Sequence, residues 1–397
     1  MTNKTIKKTQ VCIIGSGPAG LLLSQLLHNQ GISSIIIDNQ SREHIEGRIR
    51  AGVLEWGSVE VLEEAGVGER MNREGLIHDG FELSFEGDRH RIDLKALTGK
   101  SILVYGQTEI THDLIEHRLD QGCEIVFAAK DVQPFDIFSD QPKVQFSKND
   151  ETFEITCNYI AGCDGFHGIS RKSIPADQIN NFERIYPFGW LGILVDKPPI
   201  SEELIYLNHQ RGFALCSMRS HTRSRYYLQC PLSDSIDDWS DQQFWDELKM
   251  RLGSDISKNL QIGESIEKSI APLRSFVVEP MRYGNLFLAG DAAHIVPPTG
   301  AKGLNLAVSD VKVLANALAE HYHKSNDTYL ERYSNTCLKR IWHSEHFSWS
   351  MSIMMHQLPD FGGFEKRMQR AEFDYLIKSE TASKLLAEGY VGLPIEI

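Results

Sequence analysis

A glycine-rich turn between two apolar runs is the feature that most constrains the fold. Residues 9–14, TQVCII, are typical of a strand, and GSGPAG at residues 15–20 leads into a helical run closed by Gly31. A second apolar run ends at Asp38, eighteen residues after the turn. Such a turn lets backbone approach a pyrophosphate, and the acid suits ribose hydroxyls. We therefore predict a βαβ unit for FAD or NAD, bound through Gly15, Gly17, Gly20 and Asp38.

Near the end of the chain, another apolar run stops at an acid beside a glycine. Residues 286–289 predict a buried strand that ends at Gly290 and Asp291, and a helix restarts near Gly303 after a loop rich in Pro and Gly. The acid can accept hydrogen bonds from a polyol, and free N–H groups at a helix start favour negative charge. The segment suits a flavin, which has a ribityl chain and an anionic reduced ring.

Three further segments contain residues that could contact a cofactor. Arg48 and Arg50 alternate in a glycine-bounded loop of an acidic chain, which indicates contact with phosphate and flavin or, alternatively, a solvated basic turn. Residues 101–107 predict a strand ending at Gln107. A third strand, at 159–161, runs into Cys163-Asp164-Gly165.

Residues 186–231 are typical of an antiparallel sheet, because short alternating runs are separated by turns. The fold predicted is α/β with an α+β insertion. It has a βαβ FAD-binding domain at 1–178 and 281–397, which includes a helical C-terminal region, and an inserted, mainly antiparallel substrate domain at 179–280.

One strand of the insertion predicts a ligand-binding face. Ser217 and Arg219 are two residues apart and so point to the same side, which Tyr206 and Tyr227 on neighbouring strands could reach. Such a group would hold an aromatic acid, with the arginine at its carboxylate and a tyrosine at a phenol. The alternative is that these are ordinary strand residues and a surface charge.

Composition narrows the function classes. The net charge of −13 over 397 residues argues against nucleic acid or an anionic membrane surface as the main partner, and we expect a cytoplasmic protein. The seven cysteines form no CxxC pair, so we expect reduced thiols. The fifteen histidines form no metal-ligand pattern, and we predict no metal site.

Taken together, GSGPAG with Asp38, CDG at 163–165 and GDAAH at 290–294 resemble the flavin-dependent aromatic hydroxylases, which are single-component FAD monooxygenases. Segments such as GRIRAGVLE, YPFGWLG and YVGLP extend the resemblance over nearly the whole chain. It implies tightly bound FAD, a homodimer, and hydroxylation of 4-hydroxybenzoate at C3. It also implies O2 as co-substrate and NADPH or NADH as a transient reductant.

The resemblance also implies roles for individual residues. Tyr206, Tyr390 and His78 would form a proton relay, with Arg219 at the substrate carboxylate and Tyr206 at its hydroxyl. The other implied substrate contacts are Ser217, Met218, Tyr227 and Pro298. The implied FAD contacts, besides the βαβ unit, are Arg48, Ile49, Arg50, Ala51, Gly52, Val53, Gln107, Asp291, Leu304 and Asn305. The implied NAD(P)H contacts are Arg42, Arg50, His167 and Arg274.

Three alternatives remain open from the sequence. The chain could hydroxylate another aromatic acid, such as 3-hydroxybenzoate, or sense aromatic acids without turnover. A flavin halogenase is disfavoured because the chain has no Trp-x-Trp motif. Asn39 stands directly after the acid, where members of the family that use NADPH often have arginine, so the preference between NADPH and NADH stays open.

Overall fold

The structure is a computed structural model that describes residues 4–50 and 52–397. Its strands are β1 (Lys4–Lys8), β2 (Val11–Ile14), β3 (Ser34–Ile37), β4 (Val53–Leu54), β5 (Leu76–His78), β6 (Gly80–Phe85), β7 (Asp88–Asp93), β8 (Ile102–Val104), β9 (Glu124–Val126), β10 (Lys130–Phe135), β11 (Lys143–Lys148), β12 (Glu151–Thr156), β13 (Tyr159–Gly162), β14 (Asn180–Val195), β15 (Ile205–Asn208), β16 (Ala214–Ser220), β17 (Arg223–Pro231), β18 (Glu267–Glu279), β19 (Arg282–Tyr283), β20 (Leu286–Leu288) and β21 (His294–Ile295). Its helices are α1 (Pro18–Asn29), α2 (Arg42–Glu46), α3 (Trp56–Glu64), α4 (Gly68–Glu74), α5 (Leu94–Thr98), α6 (Gln107–Asp120), α7 (Ile169–Lys172), α8 (Asp241–Ser257), α9 (Gly303–Lys324), α10 (Thr328–Met355), α11 (Gly363–Lys378) and α12 (Glu380–Val391).

A six-stranded sheet in the order β19-β20-β13-β2-β3-β9 forms the first core. Strands β2, β3, β13 and β20 run parallel, so their carboxyl ends meet at one edge of the sheet. The strand residues are almost wholly buried and apolar, as expected for a parallel sheet covered on both faces. The predicted βαβ unit is confirmed. Of the three strands that end beside an acid, β13 and β20 are neighbours, and β2 separates them from β3.

An eight-stranded sheet in the order β21-β18-β14-β17-β16-β15-β6-β7 forms the second core. Strands β14 to β18 are antiparallel neighbours, as predicted. The hairpin of β6 and β7 extends this sheet because β6 pairs with β15 in parallel. The sheet therefore recruits residues outside 179–280, and the division of the chain into domains remains a proposal.

The predicted strand at 101–107 is wrong at its end. β8 stops at Val104, and Gln107 is the first residue of α6, with Gly106 as its N-cap. The strand belongs to a small sheet in the order β4-β8-β5, which is separate from both large sheets. The C-terminal region is helical, as predicted, and contains α9 to α12, of which α9 begins at Gly303. No helix in the described part of the chain is long and apolar enough to cross a membrane.

Candidate active site

The turn after β2 is shaped by two glycines that cannot carry a side chain. Gly15 has φ of +106°, and a Cβ there would lie 2.3 Å from the carbonyl oxygen of Cys163. A Cβ on Gly20 would lie 1.9 Å from the carbonyl oxygen of Gly15. Gly17 is different: a Cβ there would meet nothing within 4 Å, and as the N-cap of α1 it supplies no side-chain cap. The helix start therefore faces open space with free N–H groups, which suits a pyrophosphate.

The acid predicted to bind ribose also holds this turn in place. The Oδ2 of Asp38 accepts hydrogen bonds from the backbone N–H of Ser16 at 2.6 Å and from its hydroxyl at 2.9 Å. The Oδ1 atom accepts one from the N–H of Gln40 at 2.8 Å. A carboxylate oxygen can accept more than one hydrogen bond, so these contacts leave capacity for a ribose hydroxyl.

Segments 48–53, Gln107 and 304–305 come from distant parts of the chain and meet in space. A Cβ on Gly52 would lie 2.7 Å from the N atom of Gln107, so the two backbones touch. The amide of Asn305 donates to the carbonyl of Val53 at 2.9 Å. Arg48 accepts a hydrogen bond through its carbonyl from Thr108 at 2.8 Å. Arg48, Ile49 and Arg50 are exposed, whereas Ala51 lies outside the described residues.

The GDAAH loop packs between α1 and α9. A Cβ on Gly290 would lie 3.5 Å from the Cβ of Ala19 and 3.3 Å from that of Ala307. The buried carboxylate of Asp310 accepts hydrogen bonds from the N–H of Gly290 at 2.9 Å and from Nε2 of His294 at 2.6 Å. Burial opposes the charged imidazole, but the Asp310 carboxylate raises the pKa of His294. This bonding fixes the loop, which leaves Asp291 exposed beside the start of α9.

The CDG segment is joined to the GDAAH loop, a link that sequence reasoning missed. Arg171 donates to the carbonyl of Ala292 at 2.8 Å and to that of Phe166 at 2.6 Å. Asp164 accepts from the N–H of Ser170 at 2.9 Å, and burial raises the pKa of its carboxyl group. The signal for this link was present in the sequence, because each loop ends a parallel strand at the same sheet edge.

The arrangement as a whole fits FAD. The turn after β2 and the GDAAH loop lie at the carboxyl edge of the parallel sheet, and α9 links them to the 48–53 segment through Ala307 beside Gly290 and Asn305 bonded to Val53. We call this region the cofactor cleft, and Gly17 leaves room in it against the backbone. Leu304 and Asn305 lie in the first turn of α9, which has no side-chain cap, so its N–H groups can bind an electron-rich ring edge. The individual cofactor contacts remain proposals.

The second half of the site is one face of the eight-stranded sheet. Leu215 of β16 pairs with Tyr206 on one side and Tyr227 on the other, so these three side chains share a face. Ser217 is two residues further along that face, and its hydroxyl accepts a hydrogen bond from Nη1 of Arg219 at 2.9 Å. The strand register places Tyr206, Tyr227 and Ser217 on one face, whereas Arg219 lies where the register shifts between Met218 and Ser220 and is joined to that face by its hydrogen bond to Ser217.

The guanidinium of Arg219 has an unused donor. Its Nε atom is buried and has no hydrogen-bond partner within the described residues. An unpaired buried donor on a cation is costly, and a ligand carboxylate would satisfy it with a charge-assisted bond. Arg219 and Ser217 thus form an anion-binding end of the face.

Tyr206 and Tyr390 form the opposite, phenolic end. Their hydroxyl oxygens lie 2.7 Å apart, and both side chains are buried. Burial raises the pKa of each phenol. The ring of Phe81 stacks on Tyr390 at 4.3 Å and fixes its orientation. A phenol bound here would meet a paired hydroxyl group that can pass a proton along.

His78 does not bond directly to this pair as the relay would suggest. Its Nε2 atom lies 3.2 Å from Sδ of Met218, and its Nδ1 atom is buried without a hydrogen-bond partner among residues 4–50 and 52–397. Burial lowers the pKa of His78 and so favours the neutral imidazole. The side chain of Met218 therefore contacts His78. The backbone carbonyl of Met218 accepts a hydrogen bond from the hydroxyl of Ser217 at 3.3 Å. An extension of the relay through His78 remains a proposal.

Pro298 and two of the residues predicted to contact NAD(P)H have their own surroundings. Pro298 is exposed and begins a 3-10 turn, Pro298–Gly300, that is tied to α10 by the hydroxyls of Thr299 and Ser352 at 2.8 Å. Arg274 places its guanidinium 4.6 Å from the ring centre of Phe166, which also contacts His167.

Arg42 and Arg50 lie in or next to the short α2 segment. The guanidinium of Arg42 is engaged by the carboxylates of Glu46 and Glu116. Arg50 is exposed. His167 and Arg274 thus both contact the ring of Phe166, and Arg42 is paired with two carboxylates. The roles of these residues toward NAD(P)H remain proposals.

A buried cation near Tyr390 was not predicted. The ammonium of Lys302 donates to a carboxylate oxygen of Glu55 at 2.6 Å and to the carbonyl of Tyr390 at 2.8 Å. Burial lowers its pKa, against the opposing effect of Glu55. No local pattern signals this pair, because its members are 247 residues apart.

This fold and site define a class of protein. The chain belongs to the FAD binding domain family, whose model matches residues 8–348, and it is an FAD-dependent monooxygenase. It is 54% identical to p-hydroxybenzoate hydroxylase of Acinetobacter baylyi, over 98% of this chain and 96% of that protein. The resemblance to the flavin-dependent aromatic hydroxylases is confirmed.

Two more distant proteins share the architecture. The chain is 26% identical to rifampicin monooxygenase of Rhodococcus hoagii, over 78% of this chain and 64% of that protein. The crystal structure of p-nitrophenol 4-monooxygenase from Pseudomonas putida DLL-E4 superposes with a TM-score of 0.79 at 17% identity, and covers 98% of this chain and 99% of that chain. The predicted α/β fold with a mixed insertion is thus confirmed.

Proposed function

We propose that this enzyme hydroxylates 4-hydroxybenzoate at C3, giving 3,4-dihydroxybenzoate with consumption of NAD(P)H and O2. One observation carries the proposal: the sheet face has at one end Arg219, whose Nε lacks a hydrogen-bond partner among the described residues, and at the other end the Tyr206–Tyr390 hydroxyl pair. A benzoate with a para hydroxyl has an anion and a phenol at opposite ends of one ring, which matches this polarity. The similarity to p-hydroxybenzoate hydroxylase supports the same substrate.

FAD would be held by the Gly15–Gly20 turn, Asp38, the 48–53 segment, Gln107, Asp291 and the first turn of α9. When bound and reduced, the flavin activates O2 for transfer of one oxygen atom to the ring. The chain itself has three tasks: it binds and orients the phenolic acid, keeps water away from the reacting atoms, and removes the phenol proton.

Tyr206 is the residue we assign to the proton. A phenol with a pKa near ~10 is largely neutral at pH 7, while ring attack needs the electron-rich phenolate. The hydroxyl of Tyr206 can accept the substrate proton as its own proton passes to Tyr390, 2.7 Å away, provided that Tyr390 releases its proton to a further acceptor, the role that the proposed relay gives to His78. The negative charge then lies on the substrate phenolate, and because both tyrosines are buried, solvent does not screen its interaction with the hydroxyl of Tyr206.

A single assay separates this function from its alternatives. NAD(P)H and O2 consumption by the holoenzyme is measured with 4-hydroxybenzoate, with 3-hydroxybenzoate and without an aromatic acid, and products are identified by chromatography. We expect fast NAD(P)H and O2 consumption, and formation of 3,4-dihydroxybenzoate, only with 4-hydroxybenzoate. Turnover of 3-hydroxybenzoate instead would favour the other hydroxylase, and binding without turnover would favour a sensor.

Four further features are part of the proposal. The substrate domain would consist of residues 179–280 together with the β6–β7 hairpin. The reductant would dock near Arg42, Arg50, His167 and Arg274, and rates with NADH and NADPH would show which is preferred. The seven cysteines, all free thiols, support a cytoplasmic location. A homodimer is supported by exposed apolar side chains on the last two helices, Phe364, Tyr375 and Leu385, and light scattering tests it.

A further inference from the structure

The substrate face ends in a buried hydrogen bond between two aromatic residues that the mechanism does not use. The indole N–H of Trp190, in β14, donates to Nε2 of His356 at 2.7 Å. The Nδ1 atom of His356 lies 2.9 Å from the carbonyl oxygen of Ser352, which can only accept. His356 is fully buried. Its proton therefore sits on Nδ1, and the neutral ring accepts at Nε2.

These two rings support the residues that would touch the substrate. Trp190 lies 5.1 Å from the ring of Tyr227 and stacks on Phe213 at 5.0 Å with an interplanar angle of 23°. Phe213 in turn lies 6.2 Å from Tyr206 and 4.3 Å from the imidazole of His356. Tyr227 and Tyr206 thus rest on one continuous aromatic layer, which the bond from Trp190 to His356 holds together.

His356 is itself held from outside the sheet. The amide of Gln369 donates to the carbonyl of His356 at 2.8 Å. The next residue, Gln357, donates to the side chain of Asn208 at 2.8 Å, and Asn208 donates to the carbonyl of Met354 at 2.8 Å. Asn208 is two residues after Tyr206 in β15, so this segment and the phenolic end of the site are fixed to each other.

We propose that His356 is a positioning residue for the aromatic substrate, acting through Trp190 and Phe213 to fix Tyr227 and Tyr206. The inference rests on the proposed function, because it assigns the substrate to this face. The need for a fixed layer is physical: a ring held a fraction of an ångström away from its productive geometry loses much of the gain from orientation. In support, burial lowers the pKa of His356 to about 3, so Nε2 stays an acceptor at neutral pH.

The test uses the FAD-loaded full-length protein and two substitutions that differ in one property. His356→Phe keeps an aromatic ring but removes the acceptor, and His356→Gln can restore an acceptor near Nε2. Trp245→Phe is the matched control, since Trp245 is equally buried, donates to the carbonyl of Gly263 at 2.9 Å, and packs on Tyr226, whose side chain alternates to the opposite face of β17 from Tyr227.

The readouts are the Kd for 4-hydroxybenzoate, from the change in flavin absorbance, and the fraction of NAD(P)H consumption that yields product. We expect His356→Phe to raise Kd about tenfold and to lower the product fraction, with largely restored values in His356→Gln. Trp190→Phe should behave like His356→Phe, and the double variant should be no worse than either. A Kd for His356→Phe equal to that of Trp245→Phe would overturn the proposal.

A measurement on the unaltered protein covers the case in which the variants do not fold. With indole ¹⁵N labelling, the Trp190 N–H signal, assigned by its loss in Trp190→Phe or from a sequential assignment, should be protected from solvent exchange and should shift when 4-hydroxybenzoate binds. A rapidly exchanging signal that ignores the ligand would contradict the inference. If the unaltered holoenzyme binds no 4-hydroxybenzoate at all, the proposed function fails instead.

Discussion

The cofactor cleft is formed mainly by backbone atoms, whereas the substrate face is formed mainly by side chains. The cleft is mostly backbone: Gly15, Gly20 and Gly52 stand where a Cβ would meet a carbonyl oxygen at 2.3 Å or less. The substrate face is mostly side chain, with Arg219, Ser217 and the two tyrosines on strands set side by side by register. A site formed by backbone requires residues without a side chain, whereas a site formed by side chains requires those residues at fixed positions along neighbouring strands.

That difference has consequences for how each region tolerates change. A side chain added in the cleft collides with main chain that cannot move, so folding and cofactor binding fail together. A side chain altered on the substrate face leaves the sheet intact and changes one ligand contact or one proton path. We therefore expect substitutions in the cleft to act on stability and those on the face to act on chemistry.

The largest effect should come from Gly15→Ala. The new Cβ would lie 2.3 Å from the carbonyl oxygen of Cys163, at φ of +106°, and we expect a loss of about 3 kcal/mol or more in the free energy of unfolding. Gly17→Ala is the matched control, because a Cβ there meets nothing within 4 Å. It should fold normally and only weaken FAD. Thermal unfolding and retained flavin distinguish the two, and equal stability of both variants would break the comparison.

Tyr206→Phe should act on chemistry alone. We expect substrate binding to persist while product formation falls about 10²-fold, the usual scale of lost acid–base catalysis, with hydrogen peroxide released instead. Product and peroxide are measured per NAD(P)H consumed. Tyr226→Phe is the control, because Tyr226 is the next residue in β17 and its side chain alternates to the other face. Normal product yield in Tyr206→Phe would place the relay elsewhere.

Arg219→Lys sharpens the assignment of the anionic end. A lysine cannot reproduce the planar fork of donors, so we expect substrate binding to weaken by about 1–3 kcal/mol with little change in melting temperature. Arg223→Lys is the control, since that side chain is 48% exposed and pairs with Asp196. Titration calorimetry gives both affinities. An unchanged Kd in Arg219→Lys would remove Arg219 from the substrate site.

The smallest effect concerns a buried acid between the two regions. Burial raises the pKa of Glu345 to about 7 from 4.5, so the folded state binds its proton more tightly than the unfolded state. Stability from this group is fully present below pH 4.5 and is lost as pH rises through 7. Glu345→Gln should flatten this decline in urea unfolding between pH 5 and 8. An identical decline in the variant would contradict the assignment.

Sequence reasoning reached the cleft more completely than the face. The glycine spacing and the strand-ending acids are local, and they predicted the βαβ unit and the converging loops. The two-residue period of a strand predicted that Ser217 and Arg219 share a side, and the two are hydrogen-bonded although the register shifts between Met218 and Ser220. The adjacency of Tyr206 and Tyr227 was only an inference, because it requires the order β15-β16-β17, which local sequence does not encode.

What sequence reasoning missed are contacts between residues far apart in the chain. Trp190 and His356 are separated by 166 residues, and Lys302 and Glu55 by 247, so register and helix packing alone bring them together. The hairpin of β6 and β7 was not predicted as part of the substrate sheet, since β15, the strand that pairs with β6, lies over a hundred residues later. Contacts between residues distant in the sequence were therefore the hardest part of the site to predict.

The most direct test of the account is the product yield of the holoenzyme with 4-hydroxybenzoate. NAD(P)H consumed and 3,4-dihydroxybenzoate formed are measured in the same reaction, beside a reaction without the aromatic acid. The account predicts close to one product per NAD(P)H and very slow oxidation without the acid. Rapid NAD(P)H oxidation that is independent of the acid and yields no hydroxylated product would contradict it.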